Sequence, residues 1–157
     1  MSLSKLFGLT PEDFSQWEKR TSEIPFLNYD PSLMGIIVAI QHLPGVTTVW
    51  SCEGHSPNAE GVLKQPGYIS LVVNKEDTEA FEGLLNDLSI AVSLSEKVNK
   101  IPLQSIEFGL LCSIFNSQLY PTWTLRWDTL EAREAFYRTI LKFCDSYKPK
   151  QELKRAS

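Results

Sequence analysis

Ile106-Glu107-Phe108-Gly109-Leu110-Leu111-Cys112-Ser113-Ile114-Phe115-Asn116-Ser117-Gln118-Leu119-Tyr120-Pro121-Thr122-Trp123-Thr124-Leu125-Arg126-Trp127 decides the fold class. Ile106, Phe108, Leu110, Cys112 and Ile114 alternate strictly, and so do Leu119, Pro121, Trp123, Leu125 and Trp127. Period-two alternation is the mark of a strand with one buried face. If Asn116-Ser117 is a two-residue turn, the register puts both apolar sets on one face. That register also sets Glu107 opposite Arg126, an opposite-charge cross-strand pair that the turn assignment did not assume. Pro121 cannot donate to a ladder, so the second strand is expected at an edge, or bulged there.

Working outward, Val46 to Ser51 and Tyr68 to Val73 read as a second pair of strands, β-branched and aromatic. Between them, residues 53–67 carry Gly54, Pro57, Asn58, Gly61, Pro66 and Gly67 and read as a loop. Helices flank the hairpins. Thr10-Pro11-Glu12-Asp13 starts one, Asp30-Pro31 a second running to about His42, and Asn74-Lys75-Glu76-Asp77 a third with Phe81, Leu84, Leu85 and Leu88 at helical spacing. Asp128-Thr129-Leu130-Glu131 resembles a capping box with Asp128 at the N-cap. Phe136, Tyr137, Ile140, Leu141 and Cys144 then form the stripe of a last helix. The order α-α-β-β-α-β-β-α predicts a two-layer α+β fold: a mainly antiparallel sheet of about four strands with helices packed on one face.

A chain of 157 residues fits one domain, residues 1–147, with a flexible basic tail over 148–157. A net charge of −4 gives no electrostatic footprint for nucleic acid. Neither a signal peptide nor an apolar run long enough to span a bilayer is present, which points to a cytoplasmic protein with no membrane partner. Cys52, Cys112 and Cys144 form no CxxC pair and no disulfide framework. Cys112 and Cys144 lie on apolar stripes and read as core.

Val49-Trp50-Ser51-Cys52-Glu53-Gly54-His55-Ser56-Pro57-Asn58 concentrates a thiol, a carboxylate and one of two histidines at the end of the first strand. Cys52, Glu53 and His55 are the catalytic candidates: an imidazolium beside the thiol yields a nucleophilic thiolate, with Glu53 orienting or accepting a proton. Gly54 supplies the backbone freedom for His55 to fold back toward Cys52. Ser51, Gly54, Asn58 and Arg126 are the ligand-binding candidates, Arg126 suiting an anionic ligand. Cys52 and His55 also suit a transition metal, but two ligands are too few, so no metal ligand is assigned; His42, Cys112 or Glu60 would have to arrive through folding. As structural roles, Cys52 would be a small buried residue and the Gly-His-Ser-Pro-Asn run a plain turn.

The same motif resembles the Ser-Cys-Ser-Gly-Arg motif of the tRNA wybutosine-synthesis methyltransferase family, over about Ser32 to Val73. Ser51, Cys52 and Gly54 match; Glu53 and His55 stand where the family has Ser and Arg. The family transfers methyl groups from S-adenosylmethionine to a modified guanine in tRNA. The resemblance implies a related α/β scaffold with its site at this strand end, and that activity is not carried over. No cofactor is assigned.

Three functions fit. In the first, the Cys-Glu-Gly-His motif binds or transforms a small polar molecule by thiol or acid–base chemistry. In the second, the polar sheet face or an edge strand binds a protein partner, with a homodimer as its signature. The third is a metal-binding domain. No P-loop, GxGxxG, HExxH, GxSxG or EF-hand pattern occurs.

Overall fold

A computed structural model describes residues 2–25, 28–98, 106–115 and 117–148. The hairpin forms as its alternation requires. β4 (Ile106–Phe115) and β5 (Gln118–Thr129) pair antiparallel with Phe115 opposite Gln118, which leaves a two-residue connection. Asn116 lies outside the described residues; Ser117 has φ +63°. Glu107 stands opposite Arg126.

The remaining strands are β1 (Val46–Cys52), β2 (His55–Pro57) and β3 (Val62–Val73). The sheet order is β1-β3-β5-β4 with every pairing antiparallel, and β2 extends it along β3. β5 is therefore a central strand despite Pro121. Its register with β3 ends at Trp123, so Pro121 lies in a stretch paired to β4 alone, where a missing N–H costs no ladder bond to β3.

The helices are α1 (Leu3–Leu6), α2 (Pro11–Glu23), α3 (Met34–Gln41), α4 (Glu79–Val98) and α5 (Leu130–Ser146), with a 3-10 turn at Pro31–Leu33 before α3. The fold is α+β in the expected order. Odd-numbered Ile69, Leu71, Val73, Trp123, Leu125 and Trp127 pack with Leu33 of the 3-10 turn, with Ile36, Ile37 and Ile40 of α3, with Phe81 and Leu84 of α4, and with Phe136 and Ile140 of α5. α2 lies across part of the opposite face, where Phe14 and Trp17 pack with Val72 and Tyr120. The buried Thr21 hydroxyl pins it there, donating to the Thr48 carbonyl at 2.6 Å beside a bulge in β1. In α5 the buried stripe turns slightly from the expected one: Leu141 is exposed and Phe143 buried. The cap also falls one residue later, on Thr129, whose Oγ1 accepts from the Ala132 amide at 3.1 Å.

Among the described residues, no helix is long and apolar enough to cross a membrane. The polar stretch from Ser93, which reads as a connection ending at Pro102, is helical as far as Val98, where it continues α4; residues 99–105 and all of the basic tail beyond Lys148 lie outside the described residues.

Candidate functional site

The segment expected to be a loop is mostly strand. Cys52 pairs with Tyr68, His55 with Gln65 and Pro57 with Leu63, so β1 and β2 follow one continuous register along β3. The prolines mislead because each sits where a strand tolerates it: Pro57 at the last position of short β2, Pro66 in the bulge between Val62 and Gly67 of β3.

Only Glu53 and Gly54 interrupt that line, and the interruption builds the site. Residues three apart in a regular strand point to opposite faces. Gly54 takes φ +89° and Ser56 φ +57°, which turns His55 back. Cys52 Sγ and His55 Nε2 then lie 3.5 Å apart. A Cβ on Gly54 would approach Leu63 Cδ1 to 2.7 Å and the Gly67 amide to 3.0 Å, so the position has neither the dihedral nor the space for a side chain.

Folding adds a residue that the motif does not contain. Asp30, before the 3-10 turn, joins Cys52 and His55, and one ligand atom from each lies within 4.8 Å of the other two. The Glu53 amide donates to Asp30 Oδ2 at 3.0 Å. The Glu53 carboxylate accepts a short hydrogen bond from the Ser32 hydroxyl. Its carbonyl accepts from Trp127 Nε1 at 3.1 Å. Glu53 is thus tied at three points and works as the anchor of the site. Asp30 and Cys52 are half-buried and His55 is exposed, so the group is open to solvent.

The other expected residues are distributed. Ser51 is half-buried in β1 opposite Ile69. Asn58 closes the β2–β3 turn, its Oδ1 accepting from the Glu60 and Val62 amides at 2.9 and 3.0 Å. Arg126 lies in the row Cys52–Tyr68–Arg126, two strands away, and its guanidinium meets Asp128 at 3.3 Å. His42 ends α3 with Nδ1 donating to the Val38 carbonyl at 2.7 Å, a helix-end role. Sequence reasoning missed Asp30, Ser32 and Tyr68. The Asp30-Pro31 pair was legible only as a helix start. Tyr68 was legible only as a strand residue, yet its phenol is pushed above its ordinary value by burial and by Cys52 nearby.

Beneath the site, Tyr137 packs edge-on against Trp127 with ring centroids 5.6 Å apart. Its hydroxyl is buried. Burial pushes it from 10.0 up to about 12; Ser32 and Arg133 oppose that rise, and Glu53 and Glu134 add to it. Between these two values the unfolded chain has released the proton and the folded chain holds it. Stability therefore falls as pH rises from about 10 to about 12. Tyr137→Phe is expected to remove ~2 kcal/mol of that alkaline loss relative to the unsubstituted protein, read from urea melts at pH 9 and pH 11.5. Equal alkaline losses in the two proteins would contradict it. Cys144, raised by burial to about 11, adds to the loss in both proteins and drops out of the difference.

No family model matches the chain, and neither a curated protein nor a solved structure does.

Proposed function

We propose that this domain binds a divalent transition metal of the zinc class through Asp30, Cys52 and His55, leaving a coordination position for a small polar ligand. The observation that carries the reading is the convergence of three donor atoms within 4.8 Å, with sulfur and nitrogen 3.5 Å apart. Zinc–sulfur and zinc–nitrogen bonds of about 2.3 and 2.0 Å at a tetrahedral angle place S and N about 3.5 Å apart. A thiol–imidazole–carboxylate relay would instead hold sulfur and carboxylate on opposite sides of the ring, roughly 7 Å apart. Two anionic ligands this close repel, and a cation between them turns that repulsion into attraction. The Glu53 amide on Asp30 supplies the outer hydrogen bond that orients a ligating carboxylate. Three protein ligands with a fourth position open is the pattern of a working site rather than a closed structural one.

Titration with Co(II) tests this. One equivalent is expected to give a thiolate charge-transfer band, raise the melting temperature and be removed by a chelator. Cys52→Ser abolishes the band. Asp30→Asn and His55→Ala each weaken affinity by about tenfold or more, since losing a ligand exceeds losing an orienting group. A spectrum unchanged by Cys52→Ser, or no uptake at all, ends the reading.

The 3.5 Å sulfur–nitrogen contact also favours a second reading, thiol or acid–base chemistry by Cys52 with His55 and no metal. It becomes the stronger one if Co(II) is not taken up and Cys52 alkylates much faster than Cys144, an advantage then lost in His55→Ala.

A further inference from the structure

A polar concavity lies away from the Cys52 site, on the sheet face that α2 partly covers. It is a cleft of about 220 Å³ between α2 and the start of β5, lined by Leu9, Asp13, Trp17, Arg20, Leu119 and Tyr120 among others. We propose that this cleft binds a small aromatic carboxylate.

Three observations set the chemistry. The floor is aromatic: Trp17 and Tyr120 lie 4.9 Å apart with planes tilted by 50°, and Trp50, outside the lining, meets Trp17 edge-on at 6.0 Å. Such a floor takes a flat apolar body by offset or edge contact. Arg20 lies over two of these rings, 5.2 Å from Trp17 and 5.4 Å from Trp50. A guanidinium carries a fixed charge and a planar fork of N–H donors that can meet a carboxylate through two bonds. Tyr120 is 8 % exposed, with its hydroxyl buried in the cleft wall near the Trp50 indole. A phenol hydroxyl there offers its O–H to a bound carboxylate even when the indole donates to its oxygen.

The remaining lining residues limit the ligand. Asp13 precedes Arg20 by two helical turns, about 10 Å along the axis. It repels a second acidic group at the far end, so a monoacid fits better than a diacid. Leu119, 70 % exposed, gives the mouth an apolar lip. The volume falls below the roughly 300–1,000 Å³ of pockets for drug-sized ligands, so the occupant is one ring with a short acidic arm.

The test uses 3-phenylpropionate and 3-phenylpropylamine, which share a body and differ in charge, followed through the four tryptophan indole N–H resonances of the ¹⁵N-labelled protein. The acid is expected to shift Trp17 and Trp50 saturably and to leave Trp123 and Trp127 in place, while the amine shifts none. Arg20→Gln weakens the acid at least tenfold and Arg20→Lys by less. Should Arg20→Gln fail to fold, Leu119→Trp at the exposed lip decides, since it closes the mouth without touching the floor and is expected to abolish binding. No saturable shift, equal binding of acid and amine, or full binding in Arg20→Gln or Leu119→Trp overturns the proposal. None of these outcomes depends on a metal at Cys52.

Discussion

Replacing Trp127 with alanine is expected to destabilise the protein by about 4 kcal/mol and to lower its melting temperature by about 10 °C. Trp127 is fully buried at the centre of the main core, edge-on to Tyr137. Truncation removes the ring's apolar contacts and leaves a cavity that the sheet behind it cannot close. It also takes away the indole N–H that meets the Glu53 carbonyl at 3.1 Å. Trp127→Phe separates the two losses. It keeps most of the ring and forfeits the hydrogen bond, so a cost of about 1–2 kcal/mol is expected. Thermal melts and Co(II) titrations of both variants check this. If Trp127→Ala melts within a degree or two of the parent, the ring does not hold this end of the sheet.

Gly67→Ala carries the second large effect, about 3 kcal/mol. A Cβ at Gly67 would stand 2.2 Å from Trp127 Nε1 and 2.6 Å from the Glu53 carbonyl oxygen. The Trp127–Glu53 hydrogen bond is made across the space that glycine leaves empty. Neither neighbour can yield easily, since one is a fully buried indole and the other is backbone. The substitution is expected to break that bond, release the Glu53 segment and weaken metal uptake together with stability. Normal Co(II) affinity in a folded Gly67→Ala protein would show that the site does not depend on this anchor.

Much of the fold was legible because it is written in periodicity. The alternation from Ile106 to Trp127 is enough to set the hairpin, its two-residue connection and the Glu107–Arg126 pairing, since a slip by one residue would turn every apolar side chain to the wrong face. Phe81, Leu84 and Leu88 marked the buried side of α4 in the same way. Residues 53–67 were not legible as strand, because four of their turn-forming residues, two prolines and two glycines, sit at edges, bulges and close approaches that local composition does not distinguish from a loop. The side of the sheet taken by α2 was also hidden: Phe14 and Trp17 declare an apolar face but not the surface it meets.

For the candidate site, the sequence by itself determined the motif: Cys52, Glu53 and His55 at a strand end, with a glycine between them able to take a positive φ. Local chemistry suffices for that, because Cys52 and His55 are only three residues apart and Gly54 lets the chain fold back between them. What only the tertiary structure decided is the company they keep. Asp30 comes from 22 residues upstream of Cys52, Ser32 holds the Glu53 carboxylate, and Trp127 holds its carbonyl from 74 residues away. Contacts at such separations depend on which strands pair and which helix covers which face. No local pattern encodes that, so the third donor atom became visible only once the core had placed the start of α3 against the end of β1.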